Sequence, residues 1–142
     1  MMKKIEHKGN IELSWAILCE RSIIDNESNN ISLQNVLEEV QLHPPVGKKI
    51  ESLNFIKGGI VPLNFELITF WRKLGENIEI SAEMLVEILD PDKHVVGKLI
   101  HPLKMLEEHK RLRHRIKFNS IKVTMPGEYI FRISLKDANG EF

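Results

Sequence analysis

The sequence predicts an all-β protein: an antiparallel two-sheet β-sandwich of about seven strands, with at most one short helix. Three observations predict it. Apolar and polar residues alternate with a period of two through several segments, the pattern of a strand with one buried and one wet face. The apolar residues are mostly branched: 18 Ile, 16 Leu and 8 Val stand against 3 Ala. Ala is the strongest helix former, whereas β-branched side chains suit a pleated surface. Clusters of Gly, Pro, Asn and Asp recur between the alternating segments, where turns belong. Seven such strands pack most simply as two facing sheets. A closed barrel is the alternative.

Residues 11–24 form the first strand, with Ile11, Leu13, Trp15, Ile17 and Cys19 on one parity and Glu12, Ser14, Glu20 and Ser22 mostly off it. Asp25–Asn30 is a polar turn, and residues 31–42 return as the second strand of a hairpin. The apolar parity there moves from Ile31 and Leu33 to Val36, Val40 and Leu42, as a bulge near Gln34–Asn35 would produce. His43-Pro44-Pro45-Val46-Gly47 ends the strand, because prolines cannot donate to a ladder, and residues 48–59 are irregular. Val61, Leu63, Phe65, Leu67, Thr69 and Trp71 alternate along the third strand, and Lys73–Asn77 turns the chain. The clearest strand follows: Ile78, Ile80, Ala82, Met84, Val86 and Ile88 share one face, which a helix would scatter around its axis. Asp90-Pro91-Asp92-Lys93 is a turn with Pro at a favoured position. His94–Ile100 make a short strand, and Pro102–Lys110 form one or two helical turns with Leu103 and Leu106 inward. Residues 113–123 are the sixth strand, with Ile116 and Phe118 on one parity and Ile121 and Val123 on the other. Pro126-Gly127 leads into the last strand, where Tyr129, Phe131, Ile133 and Leu135 alternate, and Asp137–Gly140 closes the domain.

Residues 1–142 are read as a single domain without repeats, linkers or low-complexity tracts. A chain of this size buries about two-thirds of its unfolded surface, enough for one core without a disulfide or metal staple. Lys+Arg and Asp+Glu number 20 each, so the formal charge is zero. Whole-chain attraction to nucleic acid or an anionic membrane is therefore not expected. Cys19 is the one cysteine, so no intrachain disulfide forms and a reducing compartment is favoured. No apolar run approaches the roughly 18 residues of a membrane span. The opening Met1-Met2-Lys3-Lys4 is followed by polar residues rather than a signal-peptide core. The expectation is a cytoplasmic protein with no membrane partner.

Several motifs occur in a familiar order. Leu13–Glu20, the polar turn and Ile31–Val36 are followed by Phe65-Glu66-Leu67 leading to Trp71, and by the closing Met125-Pro126-Gly127-Glu128-Tyr129. Across residues 11–136 this resembles a family of small bacterial and phage proteins defined as a domain of unknown function. The resemblance implies a single β-sandwich whose final strand starts at a Pro-Gly-x-Tyr turn. It implies no activity and no catalytic residues. Residues 43–59 and 102–112 carry least of it.

The sharpest local feature is basic. On a strand, Arg111, Arg113, Arg115 and Lys117 project from one face, preceded by Lys110 and opposed by Leu112, His114, Ile116 and Phe118. Such a row can contact phosphates or an acidic partner. It can equally be a solvated face beside a row of Glu79, Glu83 and Glu87 on a neighbouring strand, and this second reading is favoured because no aromatic residues interleave with the cations. The six histidines, His7, His43, His94, His101, His109 and His114, have no zinc-type spacing with one another or with Cys19, so no metal or other cofactor is expected. Asp90 and Asp92, with Asp25 and Asp137, are too few for a calcium loop cluster. Nucleophile and phosphate-loop motifs are absent, and Gly58-Gly59 is an isolated pair. Ser14, Ser22 and Cys19 lie on a strand with no placed base; Cys19 is expected buried and inert beside Trp15 and Ile17, and Trp15 and Trp71 are expected in the core.

The leading functional expectation is a non-catalytic module that binds another protein or itself. An anion- or nucleic-acid-binding accessory protein using residues 109–117 is the alternative. An enzyme with a site assembled from loops is the third reading.

Overall fold

The computed structural model describes residues 11–41, 59–75 and 78–136. These form seven strands: β1 (Ile11–Ile24), β2 (Ile31–Val36), β3 (Gly59–Lys73), β4 (Ile80–Leu89), β5 (Val95–Met105), β6 (Arg111–Val123) and β7 (Ile130–Lys136). They build two antiparallel sheets, one in the order β2-β1-β3-β6 and one in the order β5-β4-β7. The protein is therefore all-β and two-sheeted, as the alternation predicts. No helix among the described residues is long and apolar enough to cross a membrane. Leu42, the His43–Gly47 terminator, residues 48–58 and the closing Asp137–Gly140 turn lie outside the described residues.

The chain divides into two compact units. The first contains residues 1–15, 70–113 and 126–142. At its centre β4 pairs with β5 from Ile80 opposite Met105 to Leu89 opposite Val95, with a bulge between Ile88 and Leu89. On its other side β4 pairs with β7, Leu89 facing Ile130 and Glu83 facing Lys136. Met84, Val86 and Ile88 are buried on one parity of β4 and Leu85 and Leu89 on the other, and Leu103 and Met105 of β5 are buried too. The opposite parity carries ion pairs, Lys136 Nζ to Glu83 Oε1 at 3.0 Å and Arg132 Nη2 to Glu87 Oε1 at 2.9 Å.

The glutamate row expected beside the basic strand is thus engaged by β7, and β6 lies in the other sheet beside β3. Glu79 precedes β4 and is exposed.

Two further expectations fail in this unit. Residues 102–105 continue β5 instead of turning helically. Leu103 and Met105, two apart, are both buried, while Leu106, three after Leu103, is 37% exposed. The inward pair at helical spacing does not exist, because period two governs here. A tight turn follows, in which His109 N donates to Leu106 O at 3.0 Å and Leu106 N to His109 Nδ1 at 3.1 Å. Lys73, at the end of β3, secures it. Its buried ammonium donates to the carbonyls of Ile78 (2.6 Å), Leu106 (2.6 Å) and Glu107 (3.2 Å), using all three protons of the charge. Trp71 is buried as expected, but Trp15 is only half-buried and stacks on Phe70 with ring centroids 5.3 Å apart.

The Asp90 turn belongs to the same unit. Asp90 is 2% exposed. Its Oδ1 accepts from Asp92 N and His94 N, each at 2.9 Å, so the carboxylate organises its own loop. Pro91 packs against Gly127, whose φ is +141°.

The second unit contains residues 16–69 and 114–125. The β1–β2 hairpin forms as predicted. Its turn is closed by Asp25 N to Asn30 O at 2.9 Å and Asn29 N to Asp25 O at 2.8 Å, with Asn29 left-handed at φ 61°. The Glu27 N–H bound to Asp25 Oδ1, and then Ser28, hold the Asp25 carboxyl below its ordinary pKa.

Along the hairpin the register is constant, from Ile24 opposite Ile31 to Cys19 opposite Val36. No residue is inserted near Gln34–Asn35, so the expected bulge is absent. Nor do Val36 and Val40 form a new buried parity, since they are 51% and 44% exposed; Asn35 before them is left-handed at φ 53°. The strand ends at Val36 rather than at Leu42, although Leu37 N still reaches Leu18 O at 2.8 Å. In β3, residues 65–69 are buried on both parities.

Candidate functional site

Within the second unit, an open cleft of about 650 Å³ crosses three neighbouring strands. Its lining is Glu20–Ser22 of β1, Asn64–Glu66 of β3 and Lys117–Ser120 of β6. Adjacent strands lie about 4.8 Å apart, so these three runs form a trough about 10 Å across.

Ser22 lines the trough, and Cys19 of the same strand is buried as well. Both are buried although three positions separate them, and Glu20 and Arg21 between them are exposed. The left-handed Asn35 of β2 ties the two strands together here, its Nδ2 donating to Glu20 Oε2 at 2.9 Å. Next to it, Arg21 Nε and Nη2 both donate to Gln34 Oε1, at 3.0 and 2.6 Å.

Glu66 is the chemical centre. Its residue is only 6% exposed, and a buried carboxylate needs hydrogen bonds to remain tolerable. It accepts from Ser22 Oγ at 2.5 Å and from Ser22 N at 3.3 Å. The Ser22 hydroxyl in turn accepts from Arg115 Nη1 at 3.1 Å, so β6, β3 and β1 are laced by one network. On the other parity Phe65 stacks on Phe118 with centroids 4.7 Å apart and planes 7° from parallel. Cys19 lies near enough for the Glu66 charge to raise its thiol pKa, after burial itself.

The basic row is split by this architecture. Arg115 and Lys117 belong to the unit that holds the cleft, whereas Lys110, Arg111 and Arg113 belong to the other. Lys117 lines the cleft and Arg115 supports its floor through Ser22. Lys110, Arg111, Arg115 and Lys117 are exposed and Arg113 is half-buried. No group of three or more His, Cys, Asp or Glu among the described residues is placed to hold a metal ion.

Comparison of the chain with protein-family models, curated proteins and solved structures returns no match.

Sequence reasoning missed Ser22 and Glu66 as a pair. Glu66 stands on the polar parity of its strand between Phe65 and Leu67, which reads as a wet position. Ser22 reads as a serine without a base. Nothing in the alternation of β1 or β3 marks either position as buried.

Proposed function

We propose that this protein is a non-catalytic binding module whose recognition site is the cleft across β1, β3 and β6. The observation that carries this reading is the state of the Ser22 hydroxyl. Its proton is directed to Glu66 and its lone pair accepts from Arg115. No histidine or cysteine is among the cleft-lining residues. Covalent catalysis needs a nucleophile open to its substrate, and Ser22, 7% exposed and hydrogen-bonded at both ends, is instead a fixed part of a polar floor. Burial of the single thiol suits a reducing, cytoplasmic setting.

The test is a titration of isotope-labelled protein with a library of small polar fragments, followed by amide chemical shifts. Shifts gathered at residues 20–22, 64–66 and 117–120, with every fragment recovered unchanged, are expected. Shifts gathered elsewhere, or chemical conversion of a fragment, would overturn the reading.

A further inference from the structure

We infer that the cleft takes a neutral polyhydroxylated ligand, a saccharide chain. This rests on the cleft being a binding site and names what it binds. The first observation is the mixture of charge. Glu20 and Glu66 line the cleft together with Arg21 and Lys117. A phosphate or carboxylate ligand would meet the two carboxylates, and an ammonium ligand would meet the two cations. A hydroxyl meets neither penalty, because it donates to a carboxylate and accepts from a cation with the same oxygen.

The second observation is how these charges are held. Glu20 accepts from Asn35, Glu66 from Ser22, and Arg21 donates to Gln34. All three partners are neutral, and among the described residues none of these four charged groups forms an ion pair. The charges are therefore oriented without being neutralised, and they retain the capacity for charge-assisted hydrogen bonds, which are about twice as strong as neutral ones. Glu66 in particular uses two of roughly four acceptor positions.

The third observation is shape. The cleft is an open trough rather than a closed pocket, with exposed Asn64 and Asn119 on its margin. A chain can lie across it, with side-chain amides to bond its hydroxyls.

The full chain is to be run through native gels containing hydroxyethyl cellulose, xylan, galactomannan, dextran or glycol chitin. Retardation by at least one polysaccharide is expected, changing less than about twofold between roughly 0.05 and 0.5 M salt because no ligand charge is screened. Lys117→Ala with Asn119→Ala, both at exposed positions, should weaken that retardation by about tenfold, the equivalent of one lost hydrogen bond of about 1.4 kcal/mol. Lys122→Ala, on the same strand but outside the cleft, should leave it unchanged. No retardation in any of the five gels overturns the inference. So does retardation only by heparin or duplex DNA with steep salt dependence, or displacement of cleft amide shifts by free amino acids only. Release of reducing sugar from a retarding polysaccharide would leave the ligand class standing and sink the non-catalytic reading instead.

Discussion

Cys19 is fully buried, and burial first, then the nearby Glu66 charge, push its thiol pKa up, against a backbone hydrogen bond from Arg21 that pulls it down. The direction has a consequence for stability. As pH rises past the ordinary thiol value of about 8.5, the unfolded chain loses this proton before the folded one does. The folded state then binds more protons, so the stabilisation is complete below that pH and is lost as pH climbs through the folded pKa. Chemical denaturation of the native protein and of Cys19→Ala, measured at about pH 7 and about pH 10, should show the native protein losing more stability over this range than the variant. Equal losses would mean that the thiol is not held protonated. The inward position of Cys19 was legible from its parity with Trp15 and Ile17. The carboxylate beside it was not, because Glu66 occupies a position that alternation assigns to solvent.

Among the elements, strands with one wet face were legible and their ends were not. The central strand β4 reads correctly because Met84, Val86 and Ile88 repeat at period two. Misreading Pro102–Lys110 has a specific cause: Leu103 and Leu106 stand at helical spacing, and nothing local shows that the ladder with β4 continues to Ile80 opposite Met105. The Pro126-Gly127 turn was read correctly, and the structure adds a reason for the glycine. Its φ of +141° is open to few other residues, and a Cβ there would stand 2.6 Å from Pro91 Cγ. Gly127→Ala should destabilise the protein by about 1–3 kcal/mol, combining backbone strain with displacement of the Asp90 turn. Urea denaturation checks the magnitude, and a loss below about 0.5 kcal/mol, the ordinary range of surface changes, would show that the two turns do not depend on each other.

At the scale of the molecule, the class of fold follows from composition and alternation, whereas strand order does not. Pairing joins residues far apart in sequence, and period-two patterns are much alike on every strand, so nothing in the sequence of β6 selects β3 over β4. That is why the cations of β6 and the glutamates of β4 were expected side by side. Placing them in different sheets sends Glu83 and Glu87 to Lys136 and Arg132. It leaves Arg111 and Lys117 without an ion-pair partner among the described residues.

The position of β6 at the end of its sheet bears on how copies of the protein behave in a crowded solution. Thirteen residues of strand end a sheet there, with nothing beyond them among the described strands. A terminal strand of that length is a template for pairing with another chain, and protruding like charges are a common deterrent. On this view the row that attracts attention as a binding motif also guards colloidal stability, since two β6 strands approaching each other bring their arginines and lysines into register. Replacing Arg111 and Lys117 by Thr should leave unfolding within about 0.5 kcal/mol per site. Light scattering from the concentrated variant should nevertheless rise faster than from the native protein, and high salt should raise the native protein's scattering towards the variant's as its repulsion is screened. Identical scattering in all cases would show that something other than charge keeps this border from finding its own copy.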